Sequence, residues 1–295
     1  MFSKILVATD LSHASEEVVC SLGSLQALGT RKALLLECLN VRDVGGLANT
    51  LTEEVKPALE HQRAKLAALG FETEAKVVVG LPQMEINRLA DEHDCSLVVI
   101  GSRGATPFRE LLLGSVASAI LHHSTRPVLV LRVKGGPADA AAEPCEPASC
   151  DYRQSVLFPT DFSDNAEFAY RYVHAIAAHG ADRITLLHVL TAHGPGEARS
   201  LAEARLERLK DDLQKPGAQD VRIELVEGSA KQEVVARARQ SGFSLVVIGS
   251  QGLGLIPGAV LGSVSHAVAY QATVPVLFVP PHGWSQRGVT ARLGL

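Results

Sequence analysis

The chain repeats one sequence pattern, and this repeat limits its fold more than any other feature. The segment KILVATDLSHASEEVV near the start returns as SVLFPTDFSDNAEFAY in the second half. Asp10 aligns with Asp161, an offset of 161 − 10 = 151, and Gly101 aligns with Gly249, an offset of 249 − 101 = 148. Two similar domains in tandem are therefore predicted, and the length of 295 residues is about twice the ~150 expected for one domain.

The boundaries of the two domains follow from a change in composition. The stretch from Lys134 to Arg153 is rich in Ala, Pro and Gly and has no apolar periodicity, which is typical of a linker. The predicted parts are a first domain over 1–133, a linker over 134–153, a second domain over 154–281 and a C-terminal tail over 282–295.

Short apolar runs alternate with longer polar–apolar stretches in each copy. The runs are KILVAT, KALLLECL, EAKVVVG, SLVVIG and PVLVLRV in the first copy, and SVLFPT, RITLLHVL, RIELVEG, SLVVIGS and VPVLFVP in the second. Such runs are typical of parallel strands buried on both faces, and helical segments between them indicate βαβ crossovers. The predicted fold class is α/β, with two Rossmann-like domains that each contain a five-stranded parallel open sheet flanked by helices. Ligands are expected at the carboxyl ends of the strands, where the strand order reverses.

A glycine pattern, G-x2-G-x9-G-S, follows the fourth strand of each copy. Its members are Gly101, Gly104, Gly114 and Ser115 in the first copy and Gly249, Gly252, Gly262 and Ser263 in the second. Phosphate oxygens need backbone N–H groups at close range, and glycine permits both the close approach and a positive φ angle. The pattern ends in the segment LGSV, which includes Val116 and Val264. The last helix of each copy is predicted to begin there, and the positive end of its dipole would favour a bound anion. The alternative is that the glycines only form turns and that the two serines are N-caps.

Each first strand ends in the dipeptide Thr-Asp, as Thr9–Asp10 and Thr160–Asp161. An ionised carboxylate there can accept hydrogen bonds from ribose hydroxyls or from an adenine amino group. The alternative is that the aspartates only form an Asx-turn or a cap that leads into the next helix, a cap for which Ser12 and Ser163 compete.

Cys38 and Val189 occupy equivalent positions at the end of the second strand. A side chain there can pack against a purine face, and simple core packing explains an apolar residue equally well. The five cysteines are scattered and odd in number, which is typical of a reducing compartment, so all of them are expected to be thiols.

Taken together, the two aspartates and the two glycine patterns resemble the ATP-binding branch of the universal stress protein family. The resemblance covers both copies and leaves out the linker and the residues after Pro281. It implies ATP, or AMP or ADP, as the cofactor, with the aspartate near the adenosine, the glycine loop and serine around the phosphates, and in some members Mg²⁺ on the phosphates. It also implies a regulatory role in the stress response through partner proteins. The fifth strands are expected to pair antiparallel, either within the chain or in a homodimer.

The two glycine loops differ in charge, which predicts two unequal sites. The first loop contains Arg103, Arg109 and Glu110, whereas the second, from Gly249 to Gly262, has no charged side chain. A guanidinium at Arg103 can reach a β- or γ-phosphate. We therefore expect the first site to favour ATP, and the second to bind a less phosphorylated nucleotide or to bind more weakly. The alternative is that Arg103 points into solvent.

Composition excludes several classes of function and leaves two alternatives to a nucleotide-binding regulator. A net charge of −4 and 4% aromatic residues argue against nucleic acid and membrane surfaces as partners, and a cytoplasmic location is expected. No catalytic residue and no metal ligand set is predicted. The first alternative is a slow ATPase, for which Glu110 and His266 are the candidate groups. The second is a binding module for an acyl-CoA or a nucleotide-linked lipid, because the segment GLGLIPGAVLG is apolar.

Overall fold

The structure, a computed structural model, has an α/β architecture that confirms the predicted fold class. It describes residues 2–102, 113–132, 151–190, 196–240, 242–253 and 261–281. The chain divides into two compact units, Met1–Cys150 and Asp151–Leu295.

The first unit contains a parallel sheet of five strands in the order β3-β2-β1-β4-β5. The strands are β1 (Lys4–Thr9), β2 (Lys32–Asn40), β3 (Glu72–Gly80), β4 (Leu97–Gly101) and β5 (Val128–Leu131). The helices are α1 (His13–Ser21), α2 (Val41–Val44), α3 (Ala48–Ala68), α4 (Pro82–Glu92) and α5 (Ser115–His123), with short 3-10 helices at Leu22–Leu28 and Gly45–Leu47.

The helices cover both faces of this sheet, because β1 has its chain neighbour β2 on one side and β4 on the other. Helix α1 packs against α3, and α4 packs against α5. The strands are apolar on both faces as a result: Leu34, Leu35 and Leu36 of β2 are all buried. The strand order reverses between β1 and β4, which leaves a crevice at their carboxyl ends.

The second unit repeats this architecture with the strand order β10-β9-β6-β7-β8, again all parallel. The strands are β6 (Val156–Pro159), β7 (Arg183–Leu190), β8 (Asp220–Glu227), β9 (Leu245–Gly249) and β10 (Val276–Val279). The helices are α6 (Asp164–Ala178), α7 (Gly196–Gln214), α8 (Ala230–Ala238) and α9 (Ser263–Gln271).

The first helix of each unit begins at a serine cap, so the competing serines, and not the aspartates, cap these helices. The Ser12 side chain accepts a hydrogen bond from the Ser15 N–H, and the Ser163 side chain accepts one from the Ala166 N–H. These bonds satisfy one of the N–H groups that every helix start leaves without an intrahelical partner.

Three further observations concern the predicted boundaries, cysteines and membrane contacts. Tyr152, which the sequence places in the linker, is buried within the second unit.

Cys38 and Cys95 are free thiols, but Cys20 is disulfide-bonded, so the expectation of five thiols is wrong for Cys20. Within the described ranges, no helix is both long and apolar enough to cross a bilayer. The antiparallel pairing of the fifth strands stays a prediction.

Candidate functional site

A cavity of about 310 Å³ lies at the carboxyl ends of β1, β2 and β4 in the first unit. Its lining includes every predicted site residue of the first copy that the structure describes, namely Thr9, Asp10, Cys38, Gly101, Gly114, Ser115 and Val116. Arg103 and Gly104 lie outside the described residues, as do Arg109 and Glu110. The predicted residues are thus brought together around one space, and their binding of a ligand stays a prediction.

The second unit has a smaller cavity of about 210 Å³ in the equivalent place. It is lined by all the predicted residues of the second copy, namely Thr160, Asp161, Val189, Gly249, Gly252, Gly262, Ser263 and Val264. The sequence repeat therefore corresponds to a repeated cavity at the point where each sheet reverses its strand order.

The last helix of each unit begins at its cavity with a glycine cap. Gly114 and Gly262 are the N-caps of α5 and α9, and neither helix has a side-chain cap bond. Ser115 and Ser263 are instead the first helical residues, so the alternative that they are N-caps is wrong. The Gly114 N–H donates to the Ser102 carbonyl (2.9 Å) and fixes the helix start beside β4. The N–H groups of the first helical turn have no intrahelical acceptor and carry the positive end of the helix dipole.

The described glycines of the second loop are required for close approach rather than for a positive φ. Gly249, Gly252 and Gly262 all lack the positive φ that the sequence argument invoked. A Cβ atom on Gly252 would lie 2.5 Å from Oδ2 of Asp161, and one on Gly249 would lie 2.8 Å from Nδ2 of Asn165. Both glycines therefore let the loop lie against polar side chains from the start of the unit.

The Thr-Asp segments form the same strained turn in both units. Leu11 and Phe162, the residues after the aspartates, have φ angles of 57° and 59°, a left-handed conformation that is uncommon outside glycine. The Leu11 N–H donates to the hydroxyl of Thr9 (3.0 Å), and the Phe162 N–H donates to that of Thr160 (3.1 Å). The two threonines thus hold the turn that aims the aspartates at the cavities.

Each aspartate uses one oxygen in an Asx-turn, as the alternative predicted. Oδ1 of Asp10 accepts from the Ser12 N–H, and Oδ1 of Asp161 accepts from the Ser163 N–H, both at 3.1 Å. Oδ2 of Asp161 also accepts from the Leu253 N–H (2.9 Å) at the start of the glycine loop. In the second unit, the carboxylate therefore joins the first strand to the loop.

Replacing Asp161 with alanine is expected to loosen this loop, because two backbone N–H groups lose their acceptor. A hydrogen bond to a charged group contributes about 1.5–3 kcal/mol, so we expect amide exchange at Leu253 to become at least about tenfold faster. Hydrogen exchange with mass spectrometry of the peptide containing Leu253 measures the change. Asp164→Ala, an exposed carboxylate three residues away, is the matched control. Equal exchange in the two variants would contradict the assignment.

Two ionisable groups on β2 face unusual surroundings at the first cavity. Burial, and after it the charge of Asp10, raises the pKa of the Glu37 carboxyl to about 8. Burial, and after it Glu85 and Glu37, raises the pKa of the Cys38 thiol to about 12. Cys38 is therefore a neutral, weakly polar wall of the cavity and not a reactive thiolate.

Sequence reasoning missed several residues of the cavity walls. In the first unit these include Ser15, Leu36, Glu37, Pro82, Ile86 and Ile100. Most are ordinary core residues whose place at a cavity is not visible in a periodic pattern. Glu37 carried a signal, since it is the single charged residue inside the apolar stretch ALLLECL and aligns with His188.

Comparison with known proteins agrees with this architecture. The family model of the universal stress proteins matches residues 1–132 and 153–280. A universal stress protein of Methanocaldococcus jannaschii is 29% identical over 157 residues, covering 45% of this chain and 97% of that protein. Universal stress protein YxiE of Bacillus subtilis is 32% identical over 148 residues, covering 45% of this chain and all of that protein (100%).

A solved structure resembles the chain over most of its length. The crystal structure of a universal stress protein from Archaeoglobus fulgidus covers 95% of this chain and 99% of its own, with a TM-score of 0.75 and 23% identity. At this identity the likeness supports the fold alone, whereas the family model matches most of the sequence in two segments. The chain therefore belongs to the universal stress protein family, as a tandem member with two family domains, and this membership implies a role in the stress response.

Proposed function

We propose that the chain binds an adenine nucleotide in each of its two cavities, and that the bound nucleotide regulates contacts with a partner protein. One arrangement carries the proposal: in both units, a glycine-capped helix start and a strand-end carboxylate line the same cavity. The helix start offers N–H donors and a positive dipole for phosphates. The carboxylate offers an acceptor for ribose hydroxyls.

Apolar side chains complete each cavity and suit the flat face of a purine. Ile86, Ile100 and Ile120 contribute to the wall of the first cavity, and Val234 and Ile248 to that of the second. An apolar pocket with a few convergent polar groups is the usual form of a small-molecule site. In this arrangement the phosphates lie at α5 or α9, and the nucleoside lies toward β2 or β7.

The two sites are proposed to be unequal. The second cavity is the smaller one, at about 210 Å³ against about 310 Å³. Together with the Arg103 side chain predicted near the phosphates of the first site, this favours ATP in the first site. It favours a smaller or more weakly held nucleotide in the second. Mg²⁺, if present, is proposed to bind through the phosphates.

The proposal is tested by identifying what the protein carries. The protein is purified without added nucleotide and denatured, and the released small molecules are quantified by chromatography with mass spectrometry. We expect ATP, ADP or AMP, at no more than two molecules per chain. An acyl-CoA or a nucleotide-linked lipid would support the alternative binding module. If nothing is released and ATP does not bind in a titration, the proposal is wrong. Release of ADP and phosphate from added ATP above a buffer control would favour the slow ATPase.

A further inference from the structure

Glu37 is a buried carboxyl group at the wall of the first cavity. It lies near the end of β2, beside Thr9 of β1 in the parallel register. Glu37 is one of the residues that line the cavity, and it is only 7% exposed. Among the described residues, no hydrogen-bond partner is found for its Oε2 atom. A buried polar atom without a partner is costly, so it requires an explanation.

The neighbouring hydroxyl groups are engaged elsewhere. The Thr9 hydroxyl donates to Oε1 of Gln62 (2.7 Å), and Nε2 of Gln62 donates to the Ser15 hydroxyl (3.1 Å). The Ser15 hydroxyl in turn donates to the Ser12 carbonyl (2.7 Å). This chain of bonds runs past the cavity floor and leaves neither hydroxyl hydrogen for Glu37. We therefore infer that the hydrogen-bond partner of Glu37 is a ligand bound in the cavity.

The second unit has no such group at the equivalent position. His188 aligns with Glu37, and its Nδ1 lies 2.8 Å from the Thr160 carbonyl oxygen. Its ring also packs against Phe162, with 4.5 Å between the ring centroids. His188 is satisfied within the protein, and among the described residues it is not part of the second cavity's lining. Among the described residues, a carboxyl group on the second strand of the unit therefore lines the first cavity and not the second.

We propose that Glu37 is a specificity-determining residue of the first site, where its carboxyl group hydrogen-bonds the nucleoside part of the ligand. This inference rests on the proposed function, since it requires a nucleotide in the cavity. The phosphates belong at the start of α5, beside β4, whereas Glu37 lies on β2, with β1 between the two strands. Glu37 is therefore placed at the end of the cavity where the ribose and base lie.

The protonated carboxyl is the form that binds. With a pKa raised to about 8, the group is mostly neutral at pH 7 and offers both a donor and an acceptor. Asp10 faces it from the end of β1, Cys38 follows it on β2, and Glu85 acts on Cys38 from α4. The ion pair of Lys65 with Glu16 joins α3 to α1 on the packed helices. Ionisation would add a second negative charge beside Asp10, so ligand affinity falls as pH rises through the pKa.

The test is an ATP titration of the full chain that carries Gly262→Asp, which confines binding to the first cavity. Between pH 7 and pH 9 we expect the affinity to fall about tenfold, because a group with a pKa near 8 loses its proton in this range. Glu37→Gln keeps the size and the hydrogen bond but cannot ionise, so its affinity should stay near that of the parent at pH 7 and change little with pH. Glu37→Leu should bind about tenfold more weakly at pH 7. Thermal melting checks that each variant is folded.

Matched ligands separate a nucleoside contact from other effects. Titration with 2′-deoxy-ATP shows whether Glu37 contacts the ribose 2′-hydroxyl, since Glu37→Leu would then no longer weaken binding of this ligand. Equal weakening for ATP and 2′-deoxy-ATP would place the contact elsewhere on the nucleoside. Equal weakening for tripolyphosphate, which has no nucleoside, would overturn the inference. A pH profile of Glu37→Gln identical to that of the parent would also overturn it, even with nucleotide bound. The proposed function itself is wrong if ATP binds at no pH, either to the Gly262→Asp chain or to the full chain without this change.

Discussion

Gly262→Asp is expected to remove nucleotide binding from the second cavity, while Gly262→Ala leaves it nearly unchanged. Gly262 has φ −67° and ψ 157°, angles that any residue adopts. A Cβ atom there would meet its nearest neighbours at 3.5 Å, which is ordinary contact. The aspartate therefore fits, and its charge is placed at the helix start where we propose that the phosphates bind.

The size of this effect follows from the charges. Two like charges about 4 Å apart near a protein surface repel by about 4 kcal/mol, so binding should weaken at least about 100-fold. The measurement is a titration with ATP, together with the amount of nucleotide that copurifies. Gly114→Asp is the corresponding change in the first cavity, where Gly114 has a similar conformation, with φ −61° and ψ 155°.

Alanine at the same positions is the matched control. If Gly262→Ala weakened binding as much as Gly262→Asp, the loss would come from the added Cβ atom and not from the negative charge. If neither aspartate variant changed nucleotide content, the helix starts would not be phosphate sites.

Leu34→Ala is expected to destabilise the first unit by about 2–5 kcal/mol. Leu34 is fully buried (0% exposed) in the centre of β2, between Leu6 of β1 and Glu74 of β3 in the register. Truncation removes apolar burial and leaves a cavity between the sheet and its helices, which a close-packed interior fills only in part. Urea unfolding followed by circular dichroism measures the loss as a lower midpoint of the transition that includes the first unit.

Leu47→Ala is the control, because the same atoms are removed from a side chain that is 62% exposed. Its effect should stay within about 0.5 kcal/mol. A similar loss of stability in the two variants would mean that burial in the sheet is not what stabilises this unit.

The two cavities differ more than their glycine patterns indicate. Cys38 and Glu37 in the first correspond to Val189 and His188 in the second. Of these four, Glu37 is the one with a carboxyl oxygen, Oε2, for which no hydrogen-bond partner is found among the described residues. The sequence argument placed the difference in Arg103, on the phosphate side. The packed structure adds a difference at the nucleoside end, which the loops alone do not reveal.

Much of the fold was predictable because its signals are local. The strand KILVAT was predicted over residues 4–9 and is β1 (Lys4–Thr9), and RITLLHVL is β7 (Arg183–Leu190). Apolar runs between helical segments specify a parallel sheet through backbone geometry and burial, which depend on near neighbours in the chain. The fifth strand was predicted as PVLVLRV but is shorter, Val128–Leu131, because its pairing with β4 ends at Leu131, opposite Gly101.

The sequence by itself determined that two α/β domains stand in tandem, and which residues gather at the carboxyl ends of their strands. Parallel βαβ units bring successive strand ends to one edge, so the Thr-Asp and Gly-Ser segments had to meet there. Only the tertiary structure decided what each residue does at that edge. Gly252 is required because Asp161 lies against it. Among the described residues, Oε2 of Glu37 has no hydrogen-bond partner, and the hydroxyls of Thr9 and Ser15 donate elsewhere. Such roles depend on atoms from distant segments packed within a few ångströms, a relation that no periodicity along the chain encodes.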